Sequence, residues 1–254
     1  MWRQVLPLLA TQHHAVALAT LGHHGGHACT ERPASIRHLV DDAERSLDVL
    51  GFDAAHLVGN SLGGWMALEL ARRGRARSVC AFSPAGMWKD GGGQRARAKL
   101  ETAVRLARLS RSSLPWSARF APVRRIALRE NAAYGERTSR ADLLALSEAV
   151  LQCSAAQDLL SNGDRFGPMS VTCPTDIVWA QKDRIFPLDP FADNARELVQ
   201  GARHYVLDDV GHVPMLDNPE LVATTILQQI ARMRIDSNHP RGEAPGQSTV
   251  DRRS

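Results

Sequence analysis

The stretch HLVGNSLGGW, residues 56–65, constrains this chain more than any other. An apolar run over 54–58, with His56 its one polar residue, enters it, as in a strand covered on both faces of a parallel sheet. Strong helix formers leave it, from Leu62 through Ala71, up to a stop at Gly74. A strand that turns directly into a helix through Gly59-Asn60-Ser61-Leu62-Gly63 is the G-x-S-x-G elbow, which sets a serine at the apex of a sharp turn. Gly59 and Gly63 are expected where the two backbones approach too closely for a Cβ. The Leu62 N–H is expected at the helix mouth, aimed where an oxyanion would develop. For the pentapeptide by itself, a serine with only a structural job in a tight turn is the alternative.

A serine hydroxyl is a weak nucleophile until a base takes its proton and a third group orients that base. Residues 175–180 read as a further strand, and Asp183 falls just past its C-terminal end, where ligand and catalytic groups gather in parallel sheets. Residues 204–207 read as another, followed by a loop that carries His212 behind Gly211, a glycine that lets the loop bend. Serine, then acid, then histidine is the order that follows such an elbow. Asp176, Asp189, Asp208 and Asp209 are rival acids, each inside a predicted strand or farther from its end.

The rest of the chain supplies the frame. Residues 14–20 read as a strand, followed by Gly22-His23-His24-Gly25-Gly26. Ser35 is expected to cap a helix whose apolar residues recur at helical spacing from Ile36 to Leu50, until Gly51. A strand over 77–82 comes after the elbow helix. This alternation is the pattern of a doubly wound, mostly parallel α/β sheet. From 87 to 169 it stops. Arginine- and alanine-rich helical runs are predicted there over 95–109, 122–131 and 140–151, with breaks at Gly91-Gly92-Gly93 and 110–115. Residues 236–254 are rich in Pro, Gly, Ser and charge and are expected to be disordered. The expected organisation is a core of 1–86 with 170–235, a helical insertion over 87–169 and a tail.

With elbow, acid and histidine in that order, the chain resembles the α/β-hydrolase superfamily over about residues 1–235, the middle third matching as a variable insertion. The resemblance implies Ser61 as nucleophile, His212 as base, Asp183 as the group that fixes the imidazole tautomer, and the Leu62 N–H as an oxyanion donor. It also implies that 87–169 forms a cap over the site. Leu106, Leu109, Leu114, Trp116, Phe120, Leu144 and Leu151 are then candidates for the pocket lining or the cap's own core. Complete members carry, ahead of the strand expected at 14–20, an earlier strand that ends in a His-Gly loop. That loop gives a second oxyanion N–H, and its strand lies between the 14–20 strand and the elbow strand. Residues 2–9 here resemble the helix after that loop, so an N-terminally truncated form of the fold is expected, and with it a reading frame that starts upstream of Met1. Loss of one oxyanion donor costs on the order of 10² to 10³ in rate.

Composition narrows the remaining classes. A chain of 254 residues, 44% apolar, can bury the core of one large α/β domain. No apolar run approaches the roughly 18 to 20 residues that span a bilayer, and the short apolar start is broken by Pro7, unlike a secretory leader. The expectation is a cytoplasmic protein with a small-molecule acyl substrate, partnered by neither membrane nor nucleic acid. Lysine occurs only at 89, 99 and 182, so 28 of the 31 basic residues are arginine, spread with acids between them as on a solvated surface. Cys29, Cys80, Cys153 and Cys173 are scattered and suggest reduced thiols. His13, His14, His23, His24 and His27 have no nearby carboxylate to complete a ligand set, so no metal is expected, and the serine chemistry that the resemblance implies needs no organic cofactor.

The function expected is hydrolysis by acyl transfer on a carboxylic ester or related small acyl substrate. A C–C bond hydrolase or cofactor-free haloperoxidase-like enzyme with the same triad is the alternative within the superfamily. A non-catalytic or impaired binding protein that lacks the oxyanion loop is the alternative outside catalysis. Dehalogenase and epoxide-hydrolase chemistry in this superfamily uses a carboxylate nucleophile, which Ser61 does not supply.

Overall fold

A computed structural model describes residues 1–89, 93–161 and 163–238. Helix α1 (Leu6–Leu9) follows a single 3-10 turn, and α2 (Ile36–Val49) precedes β1 (Ala55–Asn60), α3 (Leu62–Arg72) and β2 (Ala76–Phe82). Helices α4 (Gly93–Ser110), α5 (Leu114–Ser117), α6 (Ala121–Ala127), α7 (Arg140–Leu151) and α8 (Ala156–Ser161) fill the long connection that follows. The chain closes with β3 (Met169–Ser170), β4 (Thr175–Ala180), α9 (Leu188–Leu198), β5 (Val199–Gln200), β6 (Arg203–Leu207), α10 (Pro214–Asp217) and α11 (Pro219–Asn238). The main sheet has the order β1-β2-β4-β6, every pair parallel; β3 and β5 form a separate two-stranded pair.

Strand periodicity divides the core in two. Val79 and Ala81 of β2 and Ile177 and Trp179 of β4 pack on one face, against α3 and α9. Their chain neighbours Cys80, Phe82, Val178 and Ala180 pack on the other, against α1 and α11. Successive side chains of a strand point to opposite faces, so unbroken apolar runs are what a sheet clad on both sides requires. Ser35 caps α2 as expected: its backbone N–H donates to Nδ1 of His38 at 3.3 Å, and the two side chains meet at 3.2 Å. The helices of 93–161 carry a small core of their own, made of Leu114, Ala118, Leu128, Ala132 and Leu143.

Four expectations are corrected. Residues 14–20 run without any strand pairing, because a ladder needs a neighbour and β1 pairs only with β2 among the described residues. His13 and His14 lie instead beside His56 and Phe52, with ring centroids 6.2 and 5.8 Å apart. Leu106, Leu109, Trp116 and Phe120 line no interior: they are 55%, 74%, 62% and 43% exposed. Helix α11 continues through Asn238, past the point where disorder was expected to begin; residues 239–254 of that tail lie outside the described residues. The remaining correction, at Gly63, belongs to the elbow. No helix among the described residues is long and apolar enough to cross a membrane.

Candidate active site

The elbow is built where β1 meets α3. Ser61 has φ 54 and ψ −118, a backbone region that L side chains rarely adopt, and it is held there from three sides. Its N–H donates to the Phe82 carbonyl at 2.9 Å, while its carbonyl accepts from Trp65 N–H at 3.1 Å and Ala85 N–H at 3.0 Å. A Cβ on Gly59 would stand 2.0 Å from the Gly63 carbonyl oxygen, so the turn admits only glycine there. Gly63 is different: a Cβ built on it meets nothing within 4 Å. It is the Gly63 backbone that crowds Gly59, and not the converse. Leu62 is the first residue of α3, where an N–H has no carbonyl one turn back to bond.

The acid and the histidine meet on two loops past the C-terminal ends of β4 and β6. His212 Nδ1 lies 2.7 Å from Oδ2 of Asp183, with both side chains almost wholly buried. The other carboxylate oxygen of Asp183 accepts the N–H groups of Ile185 at 2.9 Å and Phe186 at 2.7 Å. With Oδ1 so occupied, Oδ2 faces the imidazole and keeps the proton on Nδ1, which leaves Nε2 as the acceptor. The Phe186 ring stands edge-on to the imidazole, centroids 5.1 Å apart at 78°. Neither the Ser61 hydroxyl nor Nε2 of His212 makes a hydrogen bond among the described residues. Such bonds commonly tighten only with substrate.

Sequence reasoning missed the residue that ties these parts together. Asn60, the last residue of β1, is buried, and its Nδ2 donates to the carbonyls of His212 at 2.9 Å and Phe82 at 3.2 Å. Both neighbours are acceptors, so the amide has one orientation, and Oδ1 has no partner. The strand that delivers Ser61 therefore also holds the backbone of His212. A polar residue closing an otherwise apolar strand was the available signal.

A second unforeseen group is Asp217 of α10. Its carboxylate accepts N–H groups from Gly211 at 2.8 Å, Ala133 at 2.9 Å and Tyr134 at 2.8 Å, joining the histidine loop to the segment after α6. Gly211 is needed less for bending than for space, since a Cβ on it would lie 2.7 Å from Ala133 N. Two of the four rival acids are engaged elsewhere. Asp176 accepts from the Tyr205 hydroxyl at 2.8 Å and from Arg232 at 2.6 Å. Asp209 takes the Tyr134 hydroxyl at 2.6 Å and pairs with Lys182, which hold its carboxyl below the ordinary range.

The histidines of the amino-terminal loops face protein groups: His27 pairs with Asp42 at 2.9 Å, His24 contacts Gln152, and His23 faces the Leu21 carbonyl at 3.1 Å. Among the described residues, no three His, Cys, Asp or Glu side chains are grouped to hold a metal ion.

Known proteins are similar to this chain in sequence and in fold. An epoxide hydrolase of Mycobacterium tuberculosis, EphH, is 33% identical over 201 residues, spanning 74% of this chain and 91% of its own length. A 2-hydroxymuconate semialdehyde hydrolase of Pseudomonas is 39% identical over 92 residues, 34% of this chain and 31% of that protein. Among solved structures, the meta-cleavage product hydrolase CumD of Pseudomonas fluorescens superposes with a TM-score of 0.65 at 19% identity, over 91% of this chain and 85% of that one. The epoxide hydrolase CorEH superposes with a TM-score of 0.69 at 18% identity, over 92% and 87%. At such identities these two likenesses speak for the fold alone. The model of the alpha/beta hydrolase family matches residues 1–225, and the chain belongs to that family.

Proposed function

We propose that this chain is a serine hydrolase that cleaves a carboxylic ester or related small acyl substrate by acyl transfer. One observation carries the reading: the buried Asp183–His212 pair hangs, through Asn60, from the strand that presents Ser61 at a strained elbow. In this scheme Nε2 of His212 takes the Ser61 proton as Oγ attacks the acyl carbon. The tetrahedral oxyanion meets the Leu62 N–H, and the proton passes from His212 to the leaving group. Water then repeats the sequence to release the acid. Asp183 stays ionised and holds the imidazolium in place. Residues 87–169 act as the cap, and the triad with Leu62 is the whole catalytic set assigned.

The two curated relatives pull the reading in different directions. EphH is an epoxide hydrolase by name, yet a serine at the elbow attacks an acyl carbon more naturally than it opens an epoxide, where this superfamily uses a carboxylate. The semialdehyde hydrolase, similar over only 92 residues, is the relative that supports the second reading, C–C bond cleavage by the same triad. A fluorophosphonate probe tests the shared claim. Labelling of the wild-type chain and none of Ser61→Ala is expected; no labelling of a folded wild-type chain refutes it. Turnover of short p-nitrophenyl esters against vinylogous 1,5-diketones and styrene oxide then separates the chemistries. Faster diketone than ester turnover would favour the C–C reading, and epoxide opening that survives Ser61→Ala would end both.

A further inference from the structure

The cap presents an outer face unlike the rest of the molecule. Residues 102–129 contain seven arginines and not one Asp or Glu, in a chain whose acids otherwise intersperse its bases. Within that stretch stand four large apolar side chains the sequence had suggested for an interior, Leu106, Leu109, Trp116 and Phe120, and with them Ile126, 66% exposed. Arg124 alone turns inward, donating to the carbonyls of Ala118, Arg119 and Glu136. Exposed apolar residues are ordinary when scattered; grouped on consecutive helices from α4 to α6 among mostly basic side chains, they mark a binding surface.

The arrangement is amphipathic in a specific sense. Trp116 and Phe120 stack edge to face, centroids 5.4 Å apart, and the Arg119 guanidinium covers both rings at 4.2 and 4.6 Å. Where α6 and the residues after it meet the loop after β4, a cavity of about 180 Å³ is lined by Arg125, Arg129 and Arg184, with Ile126, Ala132 and Ala133 as its apolar part. Glu130 stands 3.5 Å from Arg129 Nε and Arg184 donates to the Arg129 carbonyl at 2.7 Å, which leaves three guanidinium groups to one carboxylate, an excess of positive charge whose planar forks of donors suit a phosphate. Rings and aliphatic side chains that insert, next to cations that meet phosphate, are what a lipid interface selects.

We propose that this face, from α4 to α6, docks the protein on an anionic phospholipid surface, with Trp116, Phe120, Leu109 and Ile126 entering the headgroup boundary and Arg125, Arg129 and Arg184 receiving a lipid phosphate. The sequence had suggested no membrane partner; the inference concerns peripheral attachment, and it stands independently of the chemistry assigned to Ser61. A nucleic acid fits the face less well, because Leu109 and Ile126 offer nothing to a phosphate chain and Arg119 already covers the aromatic rings a base would stack on.

Vesicle co-sedimentation of the full chain tests it, using phosphatidylcholine vesicles with and without phosphatidylglycerol, alongside tryptophan emission. Binding to the anionic vesicles with a blue shift of Trp116 is expected, together with weak binding to the neutral ones. Trp116→Ala and Phe120→Ala should each weaken partition at least about tenfold. Both side chains are exposed, so the fold survives the change, which a circular-dichroism melt verifies. Arg129→Ala with Arg184→Gln should weaken anionic binding and lower its salt dependence. The proposal is overturned if the anionic vesicles leave the protein in the supernatant, or if Trp116→Ala binds them as wild type does. Self-association in solution that already shields Trp116 overturns it equally, as does tighter retention on DNA than on vesicles.

Discussion

Two glycines of one pentapeptide should respond in opposite ways to the same methyl group. At Gly59 an added Cβ meets the Gly63 carbonyl oxygen at 2.0 Å, its carbon at 2.2 Å and the Gly64 nitrogen at 2.5 Å, where ordinary contact begins at 3.4 Å. All three are backbone atoms of the first turn of α3, and that turn is pinned by the Ser61 bonds to Phe82, Trp65 and Ala85. Relief therefore means lifting α3 off β1, so the upper end of overpacking costs, about 3 kcal/mol, is a floor here. At Gly63 the same Cβ meets nothing within 4 Å, inside a helix, where alanine gains about 0.5 to 1 kcal/mol over glycine. With a urea m-value of about 3 kcal/mol/M, the Gly59→Ala midpoint should fall by about 1 M or more, and the Gly63→Ala midpoint should rise by about 0.2 to 0.3 M. Urea titration followed by circular dichroism reads both. Movement of the two variants in the same direction, or a Gly59→Ala midpoint equal to wild type, refutes the steric account of the elbow.

Other consequences can be checked alongside. Asn60→Ala should cut kcat on a p-nitrophenyl ester by about 10- to 100-fold with KM little changed, since it frees the His212 backbone without touching the acyl pocket; an unaltered kcat would remove Asn60 from the site. Asp217→Ala strands the N–H groups of Gly211, Ala133 and Tyr134 and should cost about 2 kcal/mol or more, read as a lowered urea midpoint; a neutral result would show that water replaces the carboxylate. Acid should loosen the cap before the sheet. The Ala34 N–H and then Arg32 hold the Asp158 carboxyl below its ordinary 3.8, and Lys182 and then the Tyr134 hydroxyl do the same for Asp209. Depressed carboxyls stabilise the fold above the unfolded value and lose that contribution as pH falls through the folded one. Proteolysis near 154–161 and 134–137 should therefore accelerate as pH falls below about 4 while β4 stays protected; uniform protection below that pH would contradict it.

Most of the sheet was legible because each of its strands declares itself locally. Short apolar runs within β1, β2 and β4, and helix-forming residues after Ser61, carry their structure in their own periodicity. Asp183 and His212 were legible for a related reason: each sits just past a strand end, and parallel sheets gather their polar business there. What was not legible depends on a neighbour. Residues 14–20 have the composition of a strand, but pairing is a property of two segments, and the partner edge was not theirs to reach. Trp116 and Phe120 look like core by type, yet α5 and α6 are too short to turn an apolar stripe inward and keep Leu114 and Ala118 buried at the same time. The ties of Asn60 and Asp217 were not legible because most of their partners are backbone groups far along the chain, although a polar residue closing β1 was there to see. Gly63 was misread because the motif names two glycines while sterics demands only one.

The tie from Asn60 to the His212 carbonyl bears on how the protein would fail when heated. Active sites assembled on loops commonly lose alignment well below the temperature at which the core melts. Here the histidine's main chain is fastened to the end of β1, and that same amide holds the carbonyl of Phe82 at the end of β2. The spacing between the two proposed proton-transfer partners is thus set by the separation of adjacent strands, which changes little until the sheet itself comes apart. Thermal inactivation and global melting should coincide in such a molecule. Rigidifying its loops would then extend working temperature little, whereas strengthening the β1–β2 ladder would extend it directly.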